Sequence, residues 1–282
     1  MAHVHSHTHA HHEGSSITTA FWLNFIFALI EIVGGVIFNS TAILSDAVHD
    51  LGDAIVLLMS VVLERQSNAS ATPKYSYGKK RLSLVGAMIN SAILLSGTVF
   101  IFAKAVQGLL NPEPVSAGGM FWLALLGIGA NGLSIVKLYG KQNILERSVF
   151  VHLLEDLLGW IAVFVVSIVI YFTNWYRLDA VIALVIGSVV LSNIIRNLMR
   201  IYDMLMQASP DTKLQAELQQ KLMTLADVEQ IHDVHWWTLD GEHHVFTAKI
   251  SPKPTADIRA VRDNINRILE EYAIVDSTIE FI

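Results

Sequence analysis

Ala42-Ile-Leu-Ser-Asp46-Ala-Val-His49-Asp50-Leu-Gly-Asp53-Ala-Ile-Val56 puts four ionisable side chains within eight residues of an otherwise apolar segment. The surrounding stretch, residues 42–64, is long enough to cross a bilayer core about 30 Å thick. A charge at mid-membrane costs roughly 2.5–3.5 kcal/mol or more, so each such group is a functional candidate by default. On a helix His49 and Asp53 are one turn apart and share a face. Asp46 extends that face outward, and Asp50 pairs with Asp46 and flanks Asp53.

A second segment repeats the pattern: Val151-His152-Leu-Leu-Glu155-Asp156-Leu-Leu-Gly-Trp160. His152 and Asp156 are again one turn apart. Two helices that each present a histidine and a carboxylate can supply four nitrogen and oxygen ligands, the set that tetrahedral Zn2+ favours. The bound ion neutralises both carboxylates, and on its release the same groups can take up protons. One site can thus couple a metal to H+ in opposite directions. Glu31, Asn24, Asn90 and Asn131 are expected instead to form interhelical hydrogen bonds. Asp46, Asp50 and Glu155 stay open between helix packing and a role beside the metal, such as guiding the ion, orienting a histidine or accepting a proton.

Composition agrees with a membrane protein. The 282 residues are 53% hydrophobic and 16% charged, with a mean hydropathy of +0.48. Six stretches can span, over about 17–39, 42–64, 83–110, 120–138, 148–173 and 178–200. The loops after the second and fourth spans carry Arg65, Lys74, Lys79, Lys80 and Arg81, and Lys137, Lys141 and Arg147. Arg196 and Arg200 follow near the sixth. The intervening turns at 38–41, 111–119 and 174–177 hold one basic residue, Arg177. The positive-inside rule therefore places the basic loops and both termini in the cytoplasm. Lys104 lies near the outer end of the third span, where its stem can snorkel.

Residues 209–282 read as a separate domain. Ser209-Pro210-Asp211 interrupts the chain. Helical periodicity over 212–225, a strand over 230–239, the hairpin signal Asp240-Gly241, a returning strand over 244–250, a helix over 255–272 and a strand over 274–281 follow. This αββαβ order predicts a small α+β, ferredoxin-like unit with its helices on one sheet face. It is small enough that pairing with a second copy is expected. Residues 1–208 balance twelve basic with twelve acidic side chains, while 209–282 hold seven and thirteen, so the net charge of −6 lies in this domain. An acidic domain excludes nucleic-acid binding and suits a cation.

The chain has no cysteine, so any metal must be held by His, Asp, Glu or water. Residues 1–16 carry His3, His5, His7, His9, His11 and His12 without a basic stretch before the first apolar run. They read as a disordered, weakly metal-binding cytoplasmic tail and not as a cleavable signal peptide. Three parts result: the tail 1–16, a six-helix transmembrane domain 17–208, and a cytoplasmic dimerisation domain 209–282.

Taken with the two His-x-x-x-Asp motifs, several features resemble the cation diffusion facilitator family of zinc transporters across nearly the whole chain. They are Tyr75-Ser-Tyr77-Gly78-Lys79-Lys80-Arg81 ahead of the third span, Asn90 within it, and the segment from His232 to Val245 with His235, His243 and His244. The resemblance implies a homodimeric metal/proton antiporter with His49, Asp53, His152 and Asp156 as transport ligands. It implies Zn2+ as the transported substrate and no organic cofactor, with Mn2+, Fe2+, Co2+ or Cd2+ as alternative ions. Some positions depart from the family pattern. The loop 65–81 has no His or Asp, Lys249 and Asp276 stand where relatives often carry His, and the chain stops at Ile282. A reduced cytoplasmic metal cluster is the consequence, with His232, His235, His243 and His244 read as exposed or packing residues that retain the capacity to bind metal. A membrane metal sensor and a metalloenzyme that activates water are the competing functions. The absence of Gly-x-x-x-x-Gly-Lys-Ser/Thr argues against direct ATP drive. The short loops and lack of cysteine favour a bacterial inner membrane.

Overall fold

The computed structural model describes residues 10–67, 71–138 and 144–282, with side chains for 21–59, 71–136, 150 and 153–282. Six long helices come first: α1 (Ala10–Ile37), α2 (Thr41–Ser67), α3 (Leu82–Leu110), α4 (Ala117–Leu138), α5 (Ile144–Thr173) and α6 (Arg177–Leu205). Then follow α7 (Thr212–Met223), β1 (Val228–Thr238), β2 (His244–Pro252), α8 (Ile258–Glu270) and β3 (Ile274–Phe281). α1 includes the last residues of the expected tail, and residues 1–9 lie outside the described residues.

Among the described residues four segments are long and apolar enough to cross a membrane: α3, Ala117–Val136 of α4, Leu153–Thr173 of α5, and α6. α1 contributes a shorter apolar stretch, Phe21–Ile37. α2 has the length, at 27 residues, but Asp46, Asp50 and Asp53 interrupt its apolar character. The helices carry large apolar side chains on the outside, while the inside holds a few polar groups beside a hydrophobic core. Val136 and Phe172 are 72% and 78% exposed, whereas Glu31 is fully buried and Asp46 nearly so. That arrangement is what a lipid solvent requires, because uncompensated polar groups must turn away from hydrocarbon.

Two compact units are present. One comprises residues up to Val62 together with Ile89–Arg196, the other Leu63–Met88 with Asn197–Ile282. In the first, the turn predicted at residues 38–41 closes α1. Asn39 adopts φ 53°, and the Ser40 amide donates back to the Gly35 carbonyl at 2.9 Å. Close helix approach depends on small residues. A Cβ at Gly52 would lie 2.3 Å from Leu94, so α2 and α3 pack nearly backbone to side chain. On α4 a Cβ at Gly127 would meet the buried Trp160 ring at 2.3 Å. Trp160 also stands edge-on to Phe27, with centroids 5.9 Å apart, which ties α5 to α1.

Asp179, in the first turn of α6, caps α2 from outside it. Its carboxylate accepts from Ser40 Oγ at 2.5 Å, from the Thr41 amide at 2.6 Å and from the Ala42 amide at 3.3 Å. Ser40 Oγ in turn accepts from the Ile43 amide at 3.2 Å. These bonds satisfy the free amides of the first turn of the helix that carries the ionisable cluster. Lys104, expected to snorkel, lines a cavity of about 110 Å³ together with Asn39, Glu113 and Asp179, so acidic groups share its surroundings.

In the second unit the sheet order is β1-β2-β3, with β1–β2 antiparallel and β2–β3 parallel through α8. The Asp240-Gly241 turn forms as read. Gly241 has φ +100°, and Asp240 Oδ1 accepts from the Glu242 and His243 amides. Asp211, which the sequence marked only as a chain break, is the N-cap of α7, and Asp257 caps α8. Val261, Ile265 and Leu269 recur every fourth residue of α8 and meet Leu218 and Leu222 of α7 over Trp236, Phe246, Ala248 and Ile250. Phe246 is fully buried at the centre of this small core. Phe246→Ala is therefore expected to cost about 3–5 kcal/mol. The check is hydrogen exchange on the full chain: amides of β1 to β3 should lose protection together, and unchanged protection would refute this core assignment.

Candidate metal site

The site is built on α2 and α5. His49 and Asp53 lie on one face of α2, with His49 Nε2 to Asp53 Oδ2 at 3.7 Å. From α5, Asp156 Oδ1 comes to 3.7 Å from the same nitrogen. One imidazole thus stands between two carboxylates that are 103 positions apart in sequence. The side chains of His49, Asp53 and Asp156 retain 19%, 28% and 12% of their exposure, so each remains reachable. His152 occupies α5 one turn before Asp156, and its side chain lies outside the described residues.

The spacing is informative. Two ligands about 2.0–2.1 Å from a tetrahedral ion stand roughly 3.3–3.4 Å apart. Both His49–carboxylate separations are a few tenths of an ångström wider than that. Among the described residues, no three His, Asp or Glu side chains close to a full ligating set.

The acidic residues around this trio differ in placement. Asp46 is buried, its Oδ1 lies against Gly159 of α5, and its Oδ2 has no hydrogen-bond partner among the described residues. A Cβ at Gly159 would stand 3.6 Å from Asp46 Oδ1, an ordinary contact distance, so α2 and α5 approach closely at this point. Asp50, Asp53 and Asp156 all lie close enough to Asp46 to repel it. Glu155, by contrast, faces outward on α5. The chain therefore gathers carboxyl groups between α1, α2 and α5, a setting that suits a divalent cation.

The residues read as interhelical hydrogen-bond formers diverge. Glu31 of α1 is fully buried, and its carboxyl meets the Asp50 carboxyl of the neighbouring helix α2. It faces Asp50 first, then Asp46 and Asp156, so α1 adds a carboxyl to the acidic cluster. Asn90 Oδ1 is buried without a partner among the described residues. Asn131 Nδ2 donates to Gly127 O within its own helix at 3.3 Å. The sequence offered a signal for Glu31, an acid inside a span, but not its orientation toward α2.

The cytoplasmic-domain histidines are dispersed. His232 and His235 are exposed on β1. Between them Asp233, at φ 48°, pairs with Lys249 at 2.7 Å. His243 Nδ1 contacts Asp240 Oδ2 at 2.7 Å inside the hairpin turn. His244 stands edge-on to Trp236 at 5.8 Å, and burial pushes its imidazole pKa down, which favours the neutral form.

A family model for the cation efflux transmembrane domain matches residues 17–206. The chain is 32% identical to zinc transporter ZitB of Pectobacterium atrosepticum, over 99% of this chain and 88% of that protein. It is 30% identical to zinc transporter ZitB of Escherichia coli strain K12, over 99% and 92%. It is 27% identical to the cadmium, cobalt and zinc/H(+)-K(+) antiporter of Bacillus subtilis strain 168, over 82% and 76%. With acidic and histidine side chains gathered among apolar helices, the fold is that of a multi-pass membrane protein. The chain belongs to the cation diffusion facilitator (cation efflux) family.

Proposed function

We propose that this protein exports Zn2+ from the cytosol in exchange for protons, through a site formed by His49, Asp53, His152 and Asp156. The observation that carries the reading is His49 held 3.7 Å from one carboxylate on its own helix and 3.7 Å from another on α5. Small closing movements of α2 and α5 bring these donors to Zn2+ distances, and separation of the helices releases the ion. Two histidines and two aspartates balance the charge of a divalent cation. Once the ion leaves, the carboxylates repel each other and the buried acids around them, so proton uptake accompanies release. Alternating access follows if rocking of this helix pair opens the site first to one side and then to the other.

The similarity to proteins named as zinc transporters supports Zn2+ as substrate, and the Bacillus subtilis relative's name supports exchange with H+. We further assign six membrane-crossing helices, α2 being amphipathic because it carries the site, and a tail before α1. Both termini lie in the cytoplasm of a bacterial inner membrane, and the ferredoxin-like C-terminal domain pairs two copies. Asp46, Asp50 and Glu31 keep the path acidic.

The test is Zn2+ flux into proteoliposomes with the membrane potential clamped, with and without an imposed pH gradient. Flux that rises with the gradient, accompanied by counterflow of protons, is expected. Equal flux at zero and imposed gradient would exclude antiport. A companion prediction concerns selectivity. His49→Asp replaces a nitrogen donor by oxygen, which suits harder ions. The ratio of Mn2+ to Zn2+ transport should rise about tenfold or more, an imidazole-to-carboxylate change in preference. An unchanged ratio among Zn2+, Cd2+ and Mn2+ would remove His49 from direct contact with the ion.

A further inference from the structure

We propose that the cavity at the start of α3 binds the phosphate-bearing headgroup of an anionic phospholipid. The cavity measures about 660 Å³, within the ~300–1,000 Å³ range of small-molecule pockets. Lys74, Lys79, Lys80 and Arg81 line it, with Tyr77 and Trp237 as aromatic walls.

Three observations point to this ligand. The first is position. Lys79, Lys80 and Arg81 occupy the three places before Leu82, where a 29-residue helix long and apolar enough to cross a membrane begins. Side chains at that boundary sit at headgroup depth. The second is charge. None of the four cations has a carboxylate partner among the described residues, and Lys74 lies over the Tyr75 ring at 5.5 Å. The anion that compensates them is therefore supplied from outside this group, and a polybasic segment beside a span recruits anionic lipid. The third is the lining. An indole and a phenol suit the boundary between headgroup and acyl chain. Asp276 faces the Tyr77 hydroxyl, so the phosphate belongs at the lysine and arginine end. A free phosphate ion shares the charge chemistry but has no use for a site next to a span with aromatic walls.

The test uses the full chain in neutral detergent, with phosphatidylglycerol and phosphatidylcholine as probes and retention read by native mass spectrometry. Wild type should hold phosphatidylglycerol at least about tenfold more tightly than phosphatidylcholine. The triple variant Lys79→Gln/Lys80→Gln/Arg81→Gln should lose about 100-fold in affinity for phosphatidylglycerol, roughly fivefold per charge. The charge-keeping variant Lys79→Arg/Lys80→Arg/Arg81→Lys should retain it, which separates lost charge from lost fold. Lys213→Gln/Arg259→Gln, away from the cavity, should bind like wild type. Equal retention of both lipids by wild type, or undiminished retention by the triple variant, would overturn the proposal. So would displacement of the lipid by inorganic phosphate at equal concentration, which would make the site one for a soluble anion.

Discussion

Asp156→Ala is expected to lower Zn2+ flux by at least about 100-fold, because loss of even an outer-sphere partner of a metal ligand commonly costs 10–100-fold. Asp156 brings α5 to the site, with its carboxylate 3.7 Å from His49 Nε2. Its removal takes away one oxygen donor and one of the two charges that balance the ion. In the proposed site it also removes one of the two α5 ligands, His152 being the other, that would join α5 to α2 through the metal. The side chain is only partly buried and belongs to no hydrophobic cluster, so the variant should insert, purify and melt like wild type. Asp156→Glu keeps the charge with a longer arm and should restore part of the flux. Flux in both variants within twofold of wild type would show that the ion takes another route.

The second large effect is on stability. Asp179→Ala removes the acceptor of three hydrogen bonds, from Ser40 Oγ and from the Thr41 and Ala42 amides, all in a buried setting. A helix cap contributes about 0.5–2 kcal/mol, and each buried donor left unpaired costs about 1–3 kcal/mol more. A total of about 4 kcal/mol, near the low end of that sum, corresponds to a fall in melting temperature of about 8–16 °C for a bundle of this size. Thermal unfolding in detergent, followed by far-ultraviolet circular dichroism, reads this directly. Asp179→Asn, which keeps one acceptor oxygen, should fall between the two. Because the capped helix carries His49 and Asp53, flux by Asp179→Ala should fail at a lower temperature than wild type while remaining measurable in the cold. A melting temperature within 1 °C of wild type would show that Asp179 does not hold α2.

Much of this was legible in the chain because its signals are local. Spans are read from runs of apolar residues, and α3 begins one residue before the expected position and ends at the expected Leu110. Asp240-Gly241 specified its hairpin through the one residue with φ +100°. The His-x-x-x-Asp spacing put His49 and Asp53 on one face because a helical turn is 3.6 residues. What the sequence hid depends on contacts between distant segments. Asp179 falls at the start of the expected sixth span with nothing to mark it, and its role as the cap of α2 exists only because Ser40, 139 positions away, folds beside it. Glu31 reads as a polar residue that could bond any neighbouring helix, and only the packing of α1 turns it toward Asp50. Asp211 reads as a break because the chain before it is irregular, whereas its side chain starts α7. The neutralising tendency at His244 likewise arises from burial beside Trp236, a partner on the other strand of the hairpin.

The central claim is that the transported ion sits between α2 and α5, and anomalous diffraction at the zinc edge from Zn2+-loaded crystals tests it most directly. The expected result is one strong peak bonded at about 2.0–2.2 Å to His49, Asp53, His152 and Asp156. A map in which zinc occupies the helix bundle without touching Asp156 or His49 would contradict it.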